Sequence, residues 1–195
     1  MSAPPAPPLL LASRSPQRRA ILEQLAIPFE AVVPEYEEER DGDPVNVVRA
    51  NAQGKARAVA AAADDRPVLA VDTEVVLDGR VFGKPAGEAE AEAMLEALGG
   101  RTHEVVSGLC LLTLAWEELG HEVTAVSFRP LDARDLAAYV ATGEWRGRAG
   151  AYAIQGRGAA LVERIDGDYL NVVGLPAALL VRLLATRFAG VYGFG

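Results

Sequence analysis

The sequence predicts a single α/β domain whose mixed, partly antiparallel twisted sheet is flanked by helices. Three observations carry that expectation. Short apolar runs bounded by turn residues alternate with helical patterns along the chain, the order that α/β folds require. The pair Asp78-Gly79 separates two short apolar stretches and reads as a hairpin turn, which brings antiparallel pairing into the sheet. A chain of 195 residues, 50% hydrophobic and 24% charged, buries roughly 70% of its unfolded surface, enough for one sizeable core.

The elements follow in order. Leu9–Ala12 reads as a short buried strand. Ser15 then caps a helix with Pro16 at its first position, and Ile21, Leu22 and Leu25 form its apolar face. Phe29–Val33 reads as a strand and Glu35–Asp43 as an acidic loop, after which Pro44 opens a long Ala-rich helix ending near Ala63. Val68–Val71 reads as a strand leading to Asp72-Thr73, and Glu74–Leu77 pairs with Arg80–Phe82 across Asp78-Gly79. A helix over Glu88–Leu98 stops at Gly99-Gly100. Two long strands, Thr102–Leu114 and Glu122–Phe128, are expected around a Trp116–Gly120 turn. Asp132 caps a helix to about Ala141, Ala159–Ile165 reads as a strand, and Pro176 starts a last helix over Ala177–Phe188. Residues 1–8 read as a proline-rich tail ahead of one domain over residues 9–190.

Composition removes several function classes. Acids outnumber bases 27 to 19, a formal charge of -8, which argues against a nucleic-acid binder. The single cysteine, Cys110, excludes an intramolecular disulfide framework and a cysteine-based zinc site, and fits a reducing, cytoplasmic compartment. No apolar run reaches the ~18 residues of a membrane span, so no membrane partner is expected. MSAPPAPP places no basic segment ahead of LLLA, so no signal peptide is expected. Nearly every base is arginine, and Lys55 and Lys84 are the only lysines. Such a chain keeps lysine either by chance or where a compact, rotatable charge is needed.

Three segments carry chemistry. In Ser13-Arg14-Ser15-Pro16-Gln17-Arg18-Arg19 a strand end runs into a helix start, where arginines oppose the macrodipole unless an anion sits there. Free N–H groups, hydroxyls and guanidinium groups point to phosphate; the plainer alternative is a solvated helix start paired with the acidic loop. In Val68–Lys84, Asp72 follows an apolar strand, at the strand end where α/β proteins bind ligands. It either activates a water or holds a divalent ion, or it caps a turn through Thr73. The loop acids Glu35, Glu37, Glu38 and Glu39 are either a solvated run or the source of a second carboxylate beside Asp72, a pair that Mg²⁺ favours. In Arg146–Gly158 glycines let the backbone approach a ligand, and Gln155 offers donor and acceptor to a base edge; a plain flexible loop is the alternative. His103 and His121 are too isolated for a metal site, and His103 reads as structural.

Taken together, Ser13–Arg19, Ala70–Thr73 with Lys84-Pro85, Gly100–Val105, Ala149–Gly156 and Ile165–Pro176 resemble the Maf family of nucleoside triphosphate pyrophosphatases. The resemblance runs from Leu9 to about Phe188. It implies an inosine-triphosphatase-like fold with a cleft between two lobes. It also implies hydrolysis of a nucleoside triphosphate to monophosphate and pyrophosphate with a divalent cation, Mg or Mn, and an association with arrest of septum formation. By position, Asp72 matches the family's proton acceptor and, with Glu38, its metal side. Ser13, Arg18, Lys55 and Lys84 match polar phosphate-side positions, so both lysines fall on motif positions. Thr73 and Gln155 look like the dTTP/UTP branch. Gln17, Glu74 and Ala153 depart from that branch, and Gln17 stands where an arginine would add a substrate contact. The competing expectation is a nucleotide-binding regulator of division without turnover. An inosine or xanthosine triphosphatase would need motifs that this chain lacks. The residues leave oligomeric state open, a homodimer included.

Overall fold

The computed structural model describes residues 6–195; the first five residues of the expected proline-rich tail lie outside it. Its strands are β1 (Leu9–Ala12), β2 (Phe29–Val32), β3 (Val68–Leu77), β4 (Arg80–Phe82), β5 (Thr102–Leu112), β6 (Glu117–Phe128) and β7 (Val162–Asp166). They form one seven-stranded sheet in the order β2-β1-β3-β5-β6-β7, with β4 paired to β3. Pairing of β1 with β2 and β3 is parallel, whereas β3–β4 and β6–β7 are antiparallel. The mixed sheet expected from the sequence is therefore present. Its helices are α1 (Pro16–Gln24), α2 (Pro44–Val59), α3 (Glu88–Leu98), α4 (Ala133–Val140), α5 (Tyr169–Val173) and α6 (Ala177–Arg187).

By contact density the chain divides into two units. The first holds residues up to 72 with 107–122 and 174–195, and the second holds 73–106 and 123–173. In the first unit all four residues of β1 are buried, as an interior parallel strand covered on both faces requires. Register Leu10↔Val68 and Ala12↔Ala70 sets β1 against β3. Helix α2 is capped by the Asp43 carboxylate, which accepts from Asn46 N at 3.1 Å, with Pro44 opening its first turn. Its buried face repeats with helical spacing: Val48, Ala52, Ala56 and Val59 carry the apolar packing, and Asn51 and Lys55 lie on the same face. A Cβ on Gly108 would sit 2.2 Å from the Val48 carbonyl oxygen, so α2 rests its backbone directly on β5.

In the second unit the core gathers Phe82, Leu95, Leu98, Phe128, Tyr139, Trp145 and Tyr152. Asp78 and Gly79 both have positive φ, 52° and 75°, the geometry of the tight hairpin turn read from the sequence. His103 is 1% exposed and stacks edge-on against Phe128 and Tyr152, with its Nε2 2.9 Å from the Tyr152 hydroxyl. Burial lowers its pKa to about 4, so it is a neutral core residue, the structural role expected of it.

Three element boundaries differ from expectation. Strand β3 does not end at Val71 but continues unbroken to Leu77, because Asp72, Thr73 and Glu74 keep extended backbone. The β5–β6 turn is Thr113–Trp116, not Trp116–Gly120. There the Thr113 hydroxyl accepts from Ala115 and Trp116 N–H, and β6 begins at Glu117. Residues Arg157–Leu161 form a 3₁₀ turn ahead of β7, and the short α5 was not anticipated.

Candidate active site

Asp72 sits in the middle of β3 rather than at its end, which removes the reading in which it caps a turn. It is 6% exposed, and a carboxylate in such a place needs partners for both oxygens. Helix α2 supplies them. Lys55 Nζ donates to Asp72 Oδ1 at 2.6 Å, and Asn51 Nδ2 donates to Asp72 Oδ2 at 2.9 Å. The two residues are four apart and therefore share a face of the helix.

The acidic loop is tied to the same face. Lys55 Nζ also lies 2.5 Å from Glu38 Oε1, a carboxylate that remains half-exposed. Asn51 uses its whole amide, donating to the Glu39 carbonyl at 3.0 Å while its own oxygen accepts from Glu39 N at 2.8 Å. A Cβ on Gly54 would meet the Tyr36 ring at 2.1 Å, so this glycine is the seat on which the ring lies. Burial, then the charges of Glu39, Asp72 and Glu38, push the Tyr36 phenol up from its ordinary value. Of the four loop acids, Glu38 is the one paired with Lys55, the ammonium that also holds Asp72.

The serine–arginine segment folds as the sequence indicates. Ser15 caps α1 by accepting from Arg18 N, and its hydroxyl donates to Gln17 Oε1 at 3.2 Å. Ser13, 3% exposed, accepts from Ser15 N and from Arg18 Nη1, both at 3.1 Å. Arg18 Nε donates to the Gly174 carbonyl at 2.8 Å. Burial pulls the Arg18 guanidinium below its ordinary pKa, while the charges of Asp72 and Glu38 act in the opposite sense. The first unit thus gathers Ser13, Arg18, Glu38, Lys55 and Asp72 into one electrostatic set. Gln17 is half-buried and satisfied locally.

Thr73, Lys84 and Gln155 belong to the second unit. Thr73 is half-buried in β3, Lys84 is exposed after β4, and Gln155 is exposed on the turn that precedes Arg157. Sequence reasoning missed Asn51, Tyr36 and Gly54. Only the spacing of Asn51 and Gly54 from Lys55 signals them, since i, i+3 and i+4 place all three on one helix face.

Among the described residues, no three His, Cys, Asp or Glu side chains cluster as a metal site. Two carboxylates do converge on the Lys55 ammonium, and such hard oxygen donors suit Mg²⁺ or Mn²⁺. Chemically, a carboxylate held at each oxygen by one donor keeps its remaining lone pairs for a proton or a cation. The buried lysine and arginine supply positive charge beside it.

A mixed α/β sheet carrying a braced carboxylate among an arginine, a lysine and a capped strand–helix turn defines an anion-handling α/β protein. The family model "Maf-like protein" matches residues 8–187, and the chain belongs to that family. It is 47% identical to a dTTP/UTP pyrophosphatase of Deinococcus radiodurans over the full length of both chains. It is 50% identical to one from Nitratidesulfovibrio vulgaris, covering 93% of this chain and 89% of that one. Among solved structures, the Staphylococcus aureus Ham1 protein covers 63% of this chain and 72% of its own, with TM-score 0.45 and 18% identity. No helix among the described residues is long and apolar enough to cross a membrane.

Proposed function

We propose that this chain hydrolyses nucleoside triphosphates, dTTP and UTP first among them, to the monophosphate and pyrophosphate. The observation that carries this reading is the buried Asp72 carboxylate, braced by Lys55 and Asn51 in the middle of β3. Its family membership and its relatives' printed activities support it. A protein that only binds nucleotide has no need of a base held this rigidly.

Water attacks the α-phosphorus, the bond from that phosphorus to the bridging oxygen breaks, and pyrophosphate leaves. Asp72 takes the proton of the attacking water, and the fixed direction of its carboxylate contributes positioning as well as basicity. Lys55, Lys84 and Arg18 offset the negative charge that shifts towards the leaving pyrophosphate, and Ser13 binds a phosphate oxygen. Losing one such contact typically costs on the order of 3 kcal/mol, or a hundredfold or more in rate. Glu38 and Asp72 would hold a divalent cation, which when bound neutralises phosphate charge and lowers the pKa of water. Thr73 and Gln155 read the base, and Gln17 is a further substrate-side position without the charge of an arginine. The functional domain spans residues 9–190, and the reaction belongs to the cytoplasm.

The test is pyrophosphate release from a panel of nucleoside triphosphates by the purified chain with Mg²⁺ or Mn²⁺. Turnover of dTTP and UTP with pyrophosphate as product is expected. Nucleotide binding without turnover of any member would overturn the reading in favour of a regulator.

A further inference from the structure

We propose that Glu144 is a specificity-determining positioning residue, whose carboxylate sets the shape of the turn that presents Gln155. The inference rests on the reading above, in which Gln155 meets the base.

Gln155 is exposed, so burial does not fix where its amide points. Its position depends on the backbone around it, which is rich in glycine: Gly156 and Gly158 flank Arg157. Glycine turns pay the largest entropy to hold one shape, so a turn of this kind needs an external clamp if its neighbour is to discriminate. Glu144 provides it. Its Oε1 accepts from Arg157 N at 3.0 Å and its Oε2 from Gly158 N at 3.3 Å, so both oxygens grip consecutive backbone N–H groups. A Cβ on Gly156 would stand 2.7 Å from Glu144 Oε2, so only glycine lets the carboxylate lie this close.

The other side of the same turn is held too. Tyr139 Oη accepts from Ala153 N at 2.9 Å. Gln155 thus lies between two backbone anchors, at 153 and at 157–158. Glu144 is itself fixed at its root. Its N–H donates to the Thr142 hydroxyl at 3.1 Å, and the next residue, Trp145, is 5% exposed with its indole donating to the Val140 carbonyl at 3.0 Å. A rigid root, a charged bidentate grip and a glycine that accommodates it form a device for holding one loop shape. Charge-assisted bonds of this kind are about twice as strong as neutral ones. A site that must leave its polar groups unpaired with the wrong base discriminates only while those groups stay in place.

The experiment is a double-mutant cycle. kcat and KM are measured for dTTP, UTP, CTP and GTP with the wild type, Glu144→Gln, Gln155→Ala and the double variant. Glu144→Gln keeps the size of the side chain but replaces one acceptor with an NH₂ that faces a backbone N–H. It is expected to cut the pyrimidine-over-purine ratio of kcat/KM about tenfold, chiefly through KM for the pyrimidine nucleotides. In the Gln155→Ala background the same substitution is expected to move that ratio by less than about twofold, because the two act as one unit. A second variant, Gly156→Ala, pushes the carboxylate away from the turn without touching its charge and is expected to reproduce the loss. It decides the matter should Glu144→Gln fail to fold.

A ratio unchanged in Glu144→Gln or in Gly156→Ala, while Gln155→Ala alters it, overturns this inference and leaves base reading by Gln155 intact. A full additive effect in the double variant does the same, since it makes Glu144 a general structural residue. A ratio unchanged in Gln155→Ala shows instead that the base-reading role itself is wrong, and the inference falls with it.

Discussion

Lys55 Nζ stands 2.6 Å from Asp72 Oδ1 and 2.5 Å from Glu38 Oε1, so one ammonium links a buried strand carboxylate to a half-exposed loop carboxylate. The Asp72 half of this arrangement is buried at both ends, and breaking a buried pair by removing one partner strands a charge at a cost of about 3–5 kcal/mol. Lys55→Met is therefore expected to lower unfolding free energy by about that amount, read by urea titration. Lys55→Arg keeps the charge, but a planar fork does not fit where a point charge bridges two carboxylates. It should fold, yet lose most of its turnover. Wild-type stability in Lys55→Met and wild-type kinetics in Lys55→Arg would together refute the bridging role.

Asp72→Asn preserves shape and removes the charge that accepts a proton in the proposed mechanism. Turnover should fall at least about a hundredfold with nucleotide binding largely retained, since the base is needed in the transition state and not for ground-state contacts. Steady-state kinetics paired with calorimetric binding separates the two. Retention of more than about a tenth of the wild-type rate would move the role of base to another residue, Glu38 being the next candidate.

The seat beneath Tyr36 yields a third expectation. Gly54→Ala is a favourable change for a helix interior, worth about 1 kcal/mol by propensity alone. Its methyl would nevertheless stand 2.1 Å from the Tyr36 ring and lift it. The acidic loop then loses one of its three anchors, the others being Glu38 on Lys55 and Glu39 on Asn51. Faster cleavage at Glu35–Glu39 by a glutamate-specific protease, with reduced kcat/KM, is the expected outcome. Unchanged cleavage and kinetics would show that the ring does not anchor the loop.

Much of this was legible in the sequence because local rules and tertiary structure agree. Ser15-Pro16, Asp43-Pro44 and Asp132 mark helix starts that caps enforce, and Asp78-Gly79 marks a turn that only positive-φ residues close. Where expectation and structure differ, a polar residue reads as punctuation in the sequence. Asp72-Thr73-Glu74 looks like a strand end, but β3 runs through it because Lys55 and Asn51 satisfy the buried carboxylate from another element. Thr113 and Trp116 close the β5–β6 turn by side-chain hydrogen bonds that a composition-based reading does not see. Asn51 itself was invisible for a related reason. A mid-helix asparagine in an Ala-rich stretch carries no signal of its own, and its value lies in the loop and strand that fold onto it.

Stability should depend on pH through His103. Its folded pKa of about 4 lies below the ordinary value of 6.5, so the unfolded chain binds a proton that the folded core refuses. Its contribution is intact above pH 6.5 and is lost as pH falls from there towards 4, by about 2 kcal/mol between pH 7 and pH 5. Denaturant titrations at the two pH values check this, with His103→Gln as the control. The variant should lose less stability over that interval than the wild type. An equal loss in both would assign the effect to other groups.

The proposed base contacts of Thr73 and Gln155 carry an expectation of base preference. The ratio of kcat/KM across dTTP, UTP, CTP, GTP and 7-methyl-GTP should favour dTTP and UTP, with 7-methyl-GTP poor. Gln17, satisfied by Ser15 and lacking the charge of an arginine, leaves room for CTP or a modified pyrimidine. A clear purine preference would contradict this.

Hydrolysis in ¹⁸O-labelled water addresses the chemistry itself. Attack of an Asp72-activated water on the α-phosphorus places the label in the nucleoside monophosphate and leaves the released pyrophosphate unlabelled. Label in the pyrophosphate, or release of orthophosphate from the γ-position, would contradict it.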